Sequence, residues 1–308
     1  MAVWVDTDFG FDDLWALLLL ASQKCQPVGI SLVAGNTDIG QVCENAASAA
    51  LLFGLASPLY RGADKPLSGH VIRATDILGA TGMRAIGPGL PAVEVPPHWP
   101  DAMAGLRDWL AEPVGEEKIC IALGPLTNLA RLAELDPVAY GRITRVIWMG
   151  GSNGPGNHSA FAEFNAMADP VALARVASLP VPLQIVDLSL CRQVTISEAD
   201  MMGFRDAGHD IRAEIFANLL DGYLDIARRR GRLSMAIYDP LAVASYLRPN
   251  LFGFTSCQMA VATEQTDYFG KMDFWFDAGA PHLLATSVQQ AEVKNFCLNE
   301  IAKELADG

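Results

Sequence analysis

Short apolar runs alternate with longer amphipathic stretches along most of this chain. The short runs predict strands near 2–6, 28–34, 118–123, 145–149 and 182–187. The longer stretches predict helices near 12–22, 40–54, 126–134, 170–178, 211–229, 239–247 and 288–305. Such alternation reads as βαβ units around a mostly parallel sheet. Five prolines between Pro88 and Pro100 make that stretch loop. Segment 257–288 predicts late strands, as a hairpin or an antiparallel edge. The expected fold class is α/β, an open, mostly parallel sheet flanked by helices in a Rossmann-like arrangement. A length of 308 residues admits two domains, but no linker, repeat or low-complexity tract divides the chain. One domain over 1–308 is expected.

The polar signals fall just past the carboxyl ends of the predicted strands. Asp6, Asp8, Asp12 and Asp13 follow the first, and Gly35-Asn36 the second. Gly124-Pro125-Leu126-Thr127-Asn128, Met149-Gly150-Gly151-Ser152-Asn153 and Asp187-Leu188-Ser189 follow the next three. Open α/β sheets bind ligands in the crevice at these ends, so five separate segments point at one pocket. Each alone is also a reasonable turn or cap.

Composition narrows the partners. Hydrophobic residues make up 51% and charged residues 19%, enough for a large core. The formal charge of −13 argues against nucleic acid or an anionic membrane as partner. The apolar run at 14–21 is too short to span a bilayer, and the N-terminus enters a strand without a basic leader. Six scattered cysteines include no Cys-x-x-Cys pair, which predicts buried free thiols in a reducing cytoplasm.

Four aspartates between Asp6 and Asp13 repel one another unless they are protonated or neutralised. Helix capping by Asp12 or Asp13 explains one or two of them, not four. All-oxygen ligation suits a hard cation, Ca²⁺ or Mg²⁺. Two more polar groups stand out, Asn157 with Glu163 and Asn165, and Tyr238-Asp239-Pro240. Their amide and carboxylate oxygens suit a ligand rich in hydroxyls. Asp169-Pro170 and Asp239-Pro240 also read as plain N-caps with proline at the first helical position.

Asp6-Thr7-Asp8-Phe9-Gly10-Phe11-Asp12-Asp13 resembles the Asp-x-Asp-Pro-Gly-x-Asp-Asp signature of the inosine–uridine preferring nucleoside hydrolases. Phe9 stands where proline is usual. The resemblance continues through Asn36, Gly62 to Pro66, Gly124 to Asn128, Met149, Asn157, Glu163, Asn165, Asp169-Pro170 and Asp239-Pro240, over roughly residues 2–250. It implies hydrolysis of the N-glycosidic bond of a nucleoside by a Ca²⁺-activated water, giving ribose and free base. The implied Ca²⁺ ligands are Asp8, Asp13, Asp239 and the main-chain carbonyl of Leu123, with Asp8 as general base. Asp12, Asn36, Glu163, Asn165 and Asp239 would hold the ribose hydroxyls, with Asn157 and Met149 completing that pocket. A homodimer or homotetramer is expected by the same resemblance.

The departures lie on the base side. Many family members carry histidine before the aspartate of the Asp-Pro pair, as acid to the leaving group; here Tyr238 takes that catalytic position. A free phenol, with a pKa near 10, is a poorer donor than imidazole. A second usual histidine is replaced by the run Asp76-Ile77-Leu78-Gly79, and His70, His98, His158, His209 and His282 fall elsewhere in the sequence. The expectation is a shifted base preference: a purine activated by stacking, or a ribosyl compound with a better leaving group. Tyr223, Phe164, Trp275 and Trp99 are aromatic candidates for the base side. The basic run Arg228 to Arg232 reads as a solvated helix end or as a flap over the substrate. Two rival readings are a haloacid-dehalogenase-type Mg²⁺ phosphatase and a non-catalytic ribosyl-ligand binder of the same fold.

Overall fold

The computed structural model describes residues 2–112, 117–201, 204 and 210–306. His209 lies outside the described residues. Nine strands form the main sheet: β1 (Ala2–Thr7), β2 (Gly29–Leu32), β3 (Leu59–Arg61), β4 (Lys118–Ala122), β5 (Arg145–Met149), β6 (Leu183–Val186), β9 (Phe252–Val261), β10 (Met272–Phe276) and β11 (His282–Val288). Their order across the sheet is β10-β9-β11-β6-β5-β4-β1-β2-β3. All pairings from β11 to β3 are parallel; β9 pairs antiparallel with β10 and β11. Two short strands, β7 (Thr195–Ser197) and β8 (Ser234–Ala236), form a separate antiparallel ribbon.

Both faces of the central strands are covered, which is why they read as unbroken apolar runs. Successive side chains point to opposite faces. Val3, Val5, Ile119, Ile121 and Ile147 join one core, while Trp4, Cys120, Ala122, Val146 and Trp148 join the other. The first core is closed by helix Phe11–Ser22, whose Leu14 and Trp15 are fully buried. All six cysteines are free. Among the described residues no helix is long and apolar enough to cross a membrane.

The chain leaves β1 in one direction to build β2 and β3, then returns to add β4, β5 and β6 on the other side. The switch lies between β1 and β4, and their carboxyl ends open the crevice in which a ligand binds. Helix Ala102–Ala111 and strands β3, β7 and β8 were not legible in the apolar pattern, and β9 starts at Phe252, five residues before the predicted segment. The helix carries Gly105, which propensity counts against it, yet a Cβ there would sit 2.5 Å from the Tyr60 ring. Close packing on Tyr60 overrides propensity at that position.

Candidate functional site

The loop from Thr7 to Gly10 is held by its own side chains. Asp13 accepts from the Thr7 hydroxyl and, at 2.7 Å, from the Gly10 amide, closing a capping box at the start of helix Phe11–Ser22. The Phe9 amide donates to Thr7 Oγ1 at 3.0 Å, and Phe9 has φ 49° with its side chain buried. That left-handed backbone is costly for a bulky residue and closed to proline, whose φ is fixed near −65°. The substitution of the family's usual proline is thus matched by a different local path.

Asp8 is fully buried, and both its oxygens are engaged by Asn36, from the amide at 2.7 Å and from Nδ2 at 3.1 Å. Gly35 makes this fit possible, since a Cβ there would strike the Asp8 carboxylate. Gly35→Ala is expected to lower kcat at least tenfold by displacing Asp8, with stability falling about 1–3 kcal/mol from overpacking. Steady-state kinetics beside a thermal melt checks both. Asp6 lies behind the loop, accepting from the Ser31 hydroxyl and from Asn128 Nδ2 at 2.7 Å.

Carboxylate oxygens of Asp12, Asp13 and Asp239 lie within 4.8 Å of one another. Asp239 opens helix Asp239–Leu247, which packs against helix Phe11–Ser22. Just past the ends of β4 and β5, Asn165 Nδ2 donates to the carbonyls of Leu123 at 3.0 Å and Met149 at 3.1 Å. Each carbonyl keeps a second lone pair. Glu163 accepts from the amides of Gly151, Asn165 and Ala166 at 2.8, 2.9 and 3.1 Å, capping the helix Phe164–Ala168. Asn157 is exposed, and its Oδ1 accepts from the Phe164 amide at 3.0 Å.

One pocket is lined by ten of the eleven residues proposed from sequence; the eleventh, Asp13, is buried beneath Asp12 and Asp239. Asp169 is not among its lining. It accepts from the Leu67, Ser68 and Ala172 amides and from the Thr127 hydroxyl, as a structural cap. The apolar lining of the pocket includes Ile77, Leu78, Phe164, Ile226, Met235 and the tyrosines 223 and 238. The two tyrosine rings meet edge-on at 6.4 Å, with the Tyr223 hydroxyl donating to the Ala236 carbonyl. Trp275 lies half-exposed on β10 in a separate cleft, and Trp99 packs against the first core.

Four basic side chains that line the pocket were not candidates from sequence, His158, Arg192, Arg230 and Arg232, nor were the apolar Ala74, Ile226 and Met235. His158 follows Asn157 in the loop after β5, and only the fold brings it to the pocket. The basic run gave a signal for Arg230 and Arg232 but not which of its members turn inward. Arg228 pairs with Asp221 and Arg229 with Asp225, on the solvent side.

Burial dominates the electrostatics. It pushes Asp12 and Glu163 up to about 7 and Asp13 up to about 6. Asp8 and Asp239 rise well above the usual carboxylate range, through burial first and the neighbouring carboxylates second. Asp6 is pushed up to about 7 by burial. Burial also raises the Tyr238 phenol above its ordinary value, against a smaller downward pull from Arg192 and Arg232. It holds the His158 imidazole below its ordinary value. Five acidic side chains thus converge where they cannot all ionise without positive charge. The donors are all oxygens, without thiol or imidazole, which fits a hard cation such as Ca²⁺.

Comparison with known proteins gives the family. The family model described as inosine-uridine preferring nucleoside hydrolase matches residues 3–296. The pyrimidine-specific ribonucleoside hydrolase RihA of Shewanella sp. (strain ANA-3) is 31% identical over 267 residues, covering 84% of this chain and 82% of that one. The protein of the same name from Salmonella paratyphi C is 30% identical over 285 residues, covering 91% and 90%. Among solved structures, a purine-preferring ribonucleoside hydrolase from Gardnerella vaginalis superposes with TM-score 0.87 at 22% identity, covering 100% of both chains. A plant nucleoside hydrolase, PpNRh1, gives TM-score 0.87 at 22% identity over 98% of both chains. The rival phosphatase reading falls with these matches: the chain belongs to the inosine-uridine preferring nucleoside hydrolases, a family of N-ribohydrolases.

Proposed function

We propose that this protein is a Ca²⁺-dependent ribonucleoside hydrolase in which Asp8 is the general base, acting as one domain over residues 1–308. The observation that carries this reading is the convergence of buried Asp8, Asp13 and Asp239 and half-buried Asp12 with the Leu123 carbonyl at the topological switch point. Asp13, Asp239, Asp8 and the Leu123 carbonyl would hold the cation. Bound Ca²⁺ supplies positive charge that lets the carboxylates ionise, and it lowers the pKa of a water within its shell.

The chain's own groups do the rest. Asn36 donates to both Asp8 oxygens and fixes the orientation of the base. Asp8 takes a proton from the attacking water as its oxygen bonds to the anomeric carbon. The N-glycosidic bond breaks, and its electron pair leaves with the base through an oxocarbenium-like state. Asp12, Asn36, Glu163, Asn165 and Asp239 accept from or donate to the ribose hydroxyls, with Asn157 and Met149 at the edge. Apolar walls exclude water from the remaining faces. A homodimer or homotetramer in the cytoplasm accompanies this reading.

Relatives bear both pyrimidine and purine names, so base preference must come from the wall around Tyr238. The raised phenol is a weak acid there. Tyr238→Phe is therefore expected to change kcat less than tenfold on every nucleoside while raising KM, because the ring still packs against Tyr223 and only a hydroxyl available to the substrate is lost. A loss of 10²-fold or more in kcat would make Tyr238 the leaving-group acid, as general acids contribute about that much. The function itself is tested by chromatography of inosine, uridine and cytidine digests. Equal molar release of base and ribose is expected; binding without product would favour the non-catalytic ribosyl binder.

A further inference from the structure

We propose that the pocket mouth selects ribonucleosides whose base carries a negative charge, held by the guanidinium groups of Arg230, Arg232 and Arg192. This rests on the hydrolase reading above and adds the substrate class to it.

One stretch of chain, residues 223–238, supplies Tyr223, Ile226, Arg230, Arg232, Met235 and Tyr238 to the pocket. Helix Ile211–Arg229 ends within it, so Ile226 and Arg230 stand four residues apart across the helix end, on one side. The apolar surface that takes a planar ring and the cations therefore belong to a single wall. Asp8, Glu163 and Asp239 line the same pocket as buried carboxylates, which would hold the hydroxyls.

The charge on this wall is uncompensated. Arg228 and Arg229 are paired with Asp221 and Asp225. Among the described residues, Arg230 and Arg232 bond the Ala227 carbonyl through their main-chain amides, and their guanidinium groups have no acidic partner. Arg192 donates to the carbonyls of Pro155 at 2.6 Å and Gly156 at 2.7 Å, which fix the guanidinium without neutralising it. A chain with net charge −13 and an acidic pocket floor repels anions at long range. Three guanidinium groups lining the pocket, without an acidic partner among the described residues, oppose that repulsion locally. A neutral nucleoside has no use for them; a carboxylate on the base takes them as a planar, bidentate partner.

A 5′-phosphate would present similar chemistry. The base is favoured because Arg230 and Arg232 share their wall with the apolar residues and Tyr238. The test compares nicotinic acid riboside with nicotinamide riboside, which differ only in carboxylate against carboxamide and leave without protonation. The kcat/KM ratio, acid over amide, is expected to be about tenfold at low salt, as partly exposed charge pairs sum to that order. It should fall toward one in about 0.5 M salt and in the double variant R230Q/R232Q, and survive in part in R230K/R232K. Inosine 5′-monophosphate beside inosine forms the second arm. Equal kcat/KM for the two ribosides, or a preference that follows the 5′-phosphate instead, overturns the proposal. Calorimetric binding of nicotinate against nicotinamide reads the same preference without catalysis. If no nucleoside is cleaved but nicotinate binds more tightly and loses this in R230Q/R232Q, the hydrolase reading fails and the charge selection stands. If nucleosides are cleaved but binding and rates ignore the charge, the selection fails and the hydrolase stands.

Discussion

Asp8→Asn is expected to lower kcat by roughly 10²–10⁴-fold, the range lost when a positioned general base is removed. Asparagine keeps the size of the side chain and one carbonyl acceptor for the two Asn36 donors. It also removes a buried charge crowded by Asp12, Asp13 and Glu163. The metal-free variant should therefore melt no lower than the metal-free parent. Loss of activity with unchanged or higher melting temperature separates a catalytic role from a structural one. A variant that melts well below the parent would place Asp8 in the framework of the loop.

The second large effect is on cation removal and its pH dependence. Asp12, Asp13 and Glu163, pushed up to about 7, 6 and 7, are protonated more readily folded than unfolded. Asp8 and Asp239 shift in the same direction. A raised carboxylate pKa means stability present below the ordinary value near 4 and lost as pH climbs through the raised one. Chelated protein should accordingly melt at progressively lower temperature from pH 5 to pH 8. Added Ca²⁺ should reverse this at pH 7–8 by roughly 5 °C or more, the gain expected at about 100-fold excess over Kd. The Ca²⁺ increment should shrink toward zero at pH 5, where protons compete for the same oxygens. An increment independent of pH would show that the cation does not bind at these carboxylates. Asp239→Asn should raise the melting temperature of the chelated protein and abolish most of the Ca²⁺ response.

The acidic loop was legible because its members are local. Asp8, Asp12 and Asp13 lie within one strand-to-helix turn, and the unbroken apolar run Val3-Trp4-Val5 fixes where that turn begins. Asn36, Leu123 and Met149 were legible for a related reason, since each lies at or just past the carboxyl end of a strand in the sheet. What stayed hidden depends on direction. Asp169-Pro170 and Asp239-Pro240 look alike in sequence, yet one ties down neighbouring amides and the other joins the carboxylate cluster. Glu163 combines the two roles, capping a helix while facing the pocket. Within the basic run, the three consecutive arginines 228–230 cannot share a face on a helix end, and past Arg229 the exposed Arg230 and Arg232 line the pocket. His158 entered the pocket by way of an irregular loop that no periodicity describes.

The most direct test of the account is ribose release from a ribonucleoside by metal-stripped protein, followed by stepwise return of Ca²⁺. Release of reducing sugar should cease on stripping, return in full with Ca²⁺, and not return in the Asp13→Asn or Asp239→Asn variants. Undiminished release by protein free of divalent cation would contradict it.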